Sequence, residues 1–237
     1  MRPAQIWLIA TPDAAIADVA AALAAARILR AGDIVWHCSG ALSSAELAPV
    51  REAGALVASV HPLKSFADPE VAVQTFVGTW CTAEGDEPAL AVLLPLFIAA
   101  GAQVARIDPA GKTFYHAGAV LACNTLTALI EAALRSFERA GLSRDTAMTM
   151  MAPLVRETLD NVFRLDTATA LTGPVARGDA GVVEQQLAAL RLADGDVAEA
   201  YRTLSVIALD LAKARRGVTD SAETRLREIL KINNKNK

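Results

Sequence analysis

Five apolar residues in a row, Ile6-Trp7-Leu8-Ile9-Ala10, with no polar alternation, place the first constraint on the fold. A strand with one face in water alternates apolar and polar side chains, and a strand covered on both faces does not. The segment 5–10 therefore reads as a buried strand. Similar short runs at 33–37, 55–60, 76–82 and 102–107 read as four more. Helical patterns at 13–29, 43–53 and 86–100 lie between them. Strands that alternate with helices predict a mostly parallel sheet with helices on both faces.

Helix starts carry matching signals. Ser43 and Glu46 have the spacing of a capping box, and Thr11-Pro12-Asp13 sets a cap ahead of a first-turn proline. Beyond about residue 110 the strand pattern stops. Helices are expected near 110–140, 143–163, 179–192, 195–216 and 221–231, separated by Ala140-Gly141, Thr172-Gly173-Pro174 and Gly217. The expected architecture is α/β, a partial parallel sheet in residues 1–108 followed by an all-α domain in residues 109–237.

With 237 residues, 53% of them hydrophobic, the chain can build two cores. A net charge of −3 without a basic stripe excludes a nucleic-acid partner. Lys231, Lys235 and Lys237 read as a solvated tail. Cys38, Cys81 and Cys123 are odd in number and widely spaced, which supports neither disulfides nor a metal site and fits a reducing cytosol. Segments 88–105 and 113–130 each run 18 residues without Asp, Glu, Lys or Arg. Both are long enough to raise the question of a membrane. Pro95 and Gly101 interrupt the first, and the second holds His116 and Asn124, so both are read as buried elements of a soluble, cytoplasmic protein.

Ligands of open parallel sheets bind beyond the carboxyl ends of the strands. Three such ends stand out: Ala10-Thr11-Pro12-Asp13, His37-Cys38-Ser39-Gly40 and His61-Pro62-Leu63. Gly40 allows close backbone approach. Ser39 offers a hydroxyl to a ribose or an amide, or simply helps the chain turn. His61, extended before a proline, is an acid, base or donor near neutral pH, or else a core histidine bonded to a carbonyl. Lys112 and His116 are four apart and share a helix face. The lysine would keep the imidazole neutral and polarise a substrate oxygen, or stand solvated in the first turn. Asn124, about 12 Å further along the axis, would contact another part of a ligand or bond across helices. Arg177 would grip a carboxylate or phosphate, or belong to a tight connection capped by Asp179. All three histidines of the chain fall in such segments.

Together these segments resemble a known family. Ile9-Ala10-Thr11-Pro12-Asp13, His37-Cys38-Ser39-Gly40-Ala41-Leu42, His61-Pro62-Leu63-Lys64-Ser65-Phe66, Lys112-x-x-Tyr115-His116-Ala117 and Leu171-Thr172-Gly173-Pro174-x-Ala176-Arg177-Gly178-Asp179 look like Rossmann-like proteins with a helical C-terminal domain of unknown function. That family is related to 6-phosphogluconate and β-hydroxyacid dehydrogenases, pyrroline-5-carboxylate reductase, prephenate dehydrogenase and deazaflavin-dependent NADP oxidoreductases. The resemblance implies NADP, or NAD, in the first domain, a small-molecule substrate, hydride transfer and a homodimer formed through the helices. It assigns Ala10, Thr11, Pro12, Asp13, Ser39 and Gly40 to the cofactor. His61-Pro62 resembles the His-Pro of prephenate dehydrogenases, where the histidine helps hydride transfer. On spacing, proton handling falls to His116 or His61, and Lys112, Asn124 and Arg177 go to the substrate. Lys112 is similar to the helix lysine of β-hydroxyacid dehydrogenases, whose partner four residues on is usually asparagine and here is His116. The family's glycine-rich opening turn is missing, so the sheet is expected to start in its middle. A start placed too late, a broken gene and a protein that has given up the cofactor all fit. The last of these would be a non-catalytic ligand-binding or regulatory protein.

Overall fold

The structure is a computed structural model that describes residues 4–231; the expected tail with Lys235 and Lys237 lies outside the described residues. Five strands form one sheet in the order of the sequence: β1 (Ile6–Ile9), β2 (Ile34–His37), β3 (Leu56–Pro62), β4 (Trp80–Gly85) and β5 (Gln103–Arg106). Neighbours are parallel except β3 and β4, which run antiparallel. A parallel return needs a long crossover, and the link from β3 to β4 holds only the six-residue α3 (Pro69–Gln74). That helix escaped the periodicity reading because it is short. It is set by Pro69 in its first turn and by Asp68, whose carboxylate accepts from the amides of Glu70 and Val71. The strand expected at 76–82 lies later, because Phe76 and Val77 turn into it.

The sheet is covered on both faces, as a run like Ile34-Val35-Trp36 requires. One face packs Ile9, Val35 and Val57 against α1 (Ile16–Ala25) and α2 (Ala48–Glu52). The other packs Ile34, Ala58, Val60, Cys81 and Ala83 against α4 (Glu87–Ala99), with Trp36 edge-on to Phe97 at 5.4 Å. Backbones of β3 and β4 approach closely at Gly85. A Cβ there would lie 2.5 Å from the Cα of Ala58, and φ is +135°.

Two compact units make up the chain, residues 1–125 and 126–237. The first takes in α5 (Lys112–Ala122) and runs past the expected boundary at 108. The single helix expected over 110–140 is broken at Cys123 (φ −121°, ψ −69°), beyond which α6 (Asn124–Arg139) begins. Later helices are α7 (Arg144–Leu165), α8 (Thr167–Ala170), α9 (Pro174–Arg177), α10 (Ala180–Ala193), α11 (Gly195–Ala214) and α12 (Asp220–Ile229). Val183, Leu187, Leu209, Leu226 and Leu230 form the larger core of the second unit.

One expectation is corrected. Segment 113–130 is not a buried core element: Pro109–Arg139 is long and apolar enough to cross a membrane by length and composition, and only 6% of its most apolar window is buried. Lys112 and Leu134 are the buried residues of α5 and α6.

Candidate active site

Side chains on a strand alternate between faces, so Val57, Ser59 and His61 share one face of β3, and Thr82 and Glu84 share one face of β4. The antiparallel register sets Ser59 opposite Glu84 and His61 opposite Thr82. A polar quartet thus lies on one face, with His61 toward the carboxyl end of β3.

Lys112, in the first turn of α5, reaches into this quartet. Its Nζ donates to Ser59 Oγ and to Glu84 Oε1 (3.1 Å), and each ion is 2% exposed. Glu84 also accepts from the Ser44 amide (2.9 Å) and the Ser44 hydroxyl (2.7 Å). Burial lowers the lysine pKa, and the attraction of Glu84 opposes that shift. Lys112 does not line the cavity described below. The expected amine at a substrate oxygen is not what this placement provides, because its donors already face Glu84 and Ser59.

Lys112 carries Tyr115 and His116 with it. Tyr115 Oη lies 2.8 Å from His61 Nδ1, and the His61 and His116 rings meet edge to face with centroids 6.2 Å apart. Burial is the largest cause that lowers the His61 pKa, to about 4; His116 and then Lys112 add to it. The ring is therefore neutral at pH 7. A tyrosine beside a neutral imidazole donates to the bare nitrogen, an assignment that leaves the His61 proton on Nε2. His116 Nδ1 is buried without a hydrogen-bond partner. A bare lone pair costs less in that position than an unmet N–H, so the His116 proton belongs on Nε2.

Both rings crowd one backbone atom. A Cβ on Gly40 would stand 2.7 Å from His116 Nδ1 and 2.8 Å from His61 Nε2. The close approach expected of Gly40 is thus to the protein's own histidines. His61, Tyr115, His116, Lys64, Ser65 and Asn124 line a cavity of about 510 Å3, with Gly118, Ala119 and Ala122 of α5 along its apolar side.

The other expected residues divide. Ser39 is fully engaged: its hydroxyl donates to Asp13 Oδ2 (2.9 Å) and accepts from the amides of Ala41 and Leu42. That is the turn-forming role. His37 is a buried structural histidine. Nδ1 accepts from the Ser39 amide and Nε2 donates to the Ser43 carbonyl, each at 3.1 Å. Ala10, Pro12 and Asp13 are exposed at the tip of β1, and Thr11 Oγ1 is buried there without a partner. Arg177 lies in the second unit, where its Nε donates to Asp179 Oδ2 (2.9 Å). Asp179 precedes α10 without capping it through its side chain. Sequence reasoning missed Tyr115, Ser59, Ser44 and Glu84. The available signal for Glu84 was a single carboxylate in the otherwise uncharged run Trp80-Cys81-Thr82-Ala83-Glu84.

A nicotinamide dinucleotide asks two things of such a sheet: polar groups at the strand tips, and a glycine-rich turn at a helix N-terminus for the diphosphate. Orphaned Thr11 Oγ1, with Pro12 and Asp13, suits the nicotinamide end. A glycine-rich turn of that kind is not found in the sequence given, where no two glycines stand two residues apart. The start of α1 is also acidic, with Asp13 and Asp18.

A family model for a domain of unknown function, DUF2520, matches residues 79–207, more than half of the chain. The chain belongs to the DUF2520 family. A Rossmann-like domain model matches residues 1–62. Among solved structures, protein TM1727 from Thermotoga maritima is 28% identical, with a TM-score of 0.73 over 91% of this chain and 81% of that one. The "putative NADP oxidoreductase BF3122" from Bacteroides fragilis is 22% identical, with a TM-score of 0.69 over 89% of this chain and 77% of that one. A reductive aminase from Aspergillus terreus, solved with NADPH and ethyl levulinate, is 16% identical, with a TM-score of 0.54 over 96% of this chain and 73% of that one. The last two likenesses are of fold. No curated protein matches the chain.

Two outcomes follow from this DUF2520 site. Gly40→Ala will force the two rings apart, so His61–His116 cross-peaks in NMR spectra will weaken while the far-ultraviolet circular dichroism is kept. Unmoved rings would show that the turn has slack. The second concerns stability. Between the ordinary histidine value near 6.5 and about 4, the unfolded chain takes up a proton that folded His61 refuses. Stability is therefore lost as pH falls through that window, by roughly 2 kcal/mol once partial exposure is discounted. Denaturation midpoints at pH 7 and pH 4.5 should converge for His61→Gln relative to the parent.

Proposed function

We propose that the chain is an oxidoreductase that exchanges hydride between NADP(H) and a carbonyl, hydroxyl or imine carbon of a small metabolite. The observation that carries this reading is the His61–Tyr115–His116 constellation lining one cavity at the tip of β3. Thr11, Pro12 and Asp13 would border the nicotinamide, with NAD as the other candidate dinucleotide. When bound, the cofactor supplies or accepts the hydride. Protein side chains manage the proton. His116, with Nδ1 sealed against Gly40, offers Nε2–H to the substrate oxygen or nitrogen and polarises its bond to carbon. His61 is too weak a base to store a proton at pH 7. It orients Tyr115 and passes a hydrogen bond along the cavity wall. Asn124 holds the far end of the substrate over Gly118, Ala119 and Ala122.

Ser39 and Gly40 favour a second reading, because both are consumed by internal contacts: a non-catalytic ligand-binding protein that uses the same cavity. Calorimetric titration of the full chain with NADPH separates the two, and no binding at millimolar NADPH would overturn the oxidoreductase reading. If NADPH binds, a metabolite screen that follows its oxidation identifies the substrate. His116→Ala should then lower turnover on the order of 100-fold and leave NADPH affinity within about twofold. Equal losses would make His116 a structural residue.

The homodimer is proposed on the exposed apolar side chains of α5 and α6, among them Leu121 and Leu129. A second copy would cover a surface that water does not favour. The same reading puts the protein in the cytoplasm, outside the membrane. Light scattering without detergent should give twice the 24.8 kDa chain mass. A monomer, or a chain that dissolves only in detergent, would defeat it.

A further inference from the structure

A lysine and a glutamate, each 2% exposed, are paired beside the site, and neither lines its cavity. We infer that Lys112 and Glu84 are positioning residues, which hold the Ser39–Ser44 turn and the first turn of α5 together so that Gly40 and the two imidazoles meet. The inference rests on reading His61 and His116 as the site.

Both ends of the turn are tied to this pair. At one end Ser59 accepts from Lys112 and donates to the Ser39 carbonyl at 3.3 Å. At the other, both Glu84 carboxylate oxygens take Ser44, one its amide and the other its hydroxyl. Gly40 lies between these anchors, and the Ser39 hydroxyl folds the interval by accepting from Ala41 and Leu42. On the opposite side, Lys112 is the buried residue of α5, so its side chain fixes that helix to β3 and β4. His116 stands one turn further on and follows it. One ion pair thereby sets the separation between the glycine and both rings.

Burying two charges is costly, and an apolar pair of similar volume often folds as well or better. Stability alone therefore does not explain the pair, whereas geometry does. Four elements that are distant in sequence, at residues 44, 59, 84 and 112, converge on atoms with strict directional demands. An apolar cluster would let them slide.

The test needs neither cofactor nor substrate. Histidine-selective NMR titration reads the His61 midpoint, and nuclear Overhauser effects read the contact between the His61 and His116 rings. These are measured in the full chain, in the double variant Lys112→Met with Glu84→Leu, and in Ser59→Ala. Ser59→Ala keeps the ion pair but cuts its link to Ser39. In both variants we expect retained circular dichroism, a His61 midpoint raised by about 1 pH unit or more, and a weakened ring–ring contact. A folded double variant with the parent midpoint and contact would overturn the inference. If the double variant does not fold, Ser59→Ala decides alone by the same readouts. Failure to bind NADPH, with these shifts present, would count against the oxidoreductase reading and leave the positioning role standing.

Discussion

Ser59 faces Glu84 because β4 runs against β3, and much of the candidate site depends on that reversal. In a strand, one residue of register moves every side chain to the other face. This register aligns the polar positions of two otherwise apolar strands and leaves a carboxylate and a hydroxyl deep inside the first unit. Neither can remain there unpaired. The nearest helix supplies the cation, and the loop after β2 supplies two further donors. Gly85 makes the pairing possible, since any side chain there would run into the Ala58 backbone.

Three histidines from similar-looking segments end in three different states. His37 has both nitrogens committed to backbone groups and locks a turn. His61 shares one nitrogen with a tyrosine and is kept neutral mainly by burial. His116 has one nitrogen sealed and unpartnered. The chemistry of each ring comes from its neighbours, which the chain brings together from as far away as 54 residues.

This also explains how much was legible in the sequence. Apolar runs announced the five strands, because a doubly covered strand shows no alternation. Glycine and proline breaks announced most helices. His61 and His116 were marked by position at a strand end and on a helix. Pairing direction was not legible, since Trp80-Cys81-Thr82-Ala83 reads the same whichever way it runs. With direction unknown, Glu84 could not be matched to Ser59, nor Lys112 recognised as buried. Tyr115 was overlooked beside a more conspicuous histidine. Apolar composition in 113–130 was read as core, although composition cannot distinguish a face that packs on its own chain from one left open.

Gly40 and Gly118 border the same chemistry with opposite tolerances. At Gly40 the volume of a single methyl is already taken by imidazole nitrogens, whereas a methyl on Gly118 would meet nothing within 4 Å. Gly118 faces the cavity from α5. Divergence of ligand preference in a scaffold like this therefore has an open route along the helical wall, where bulk can grow without disturbing the rings, and a closed one at the turn.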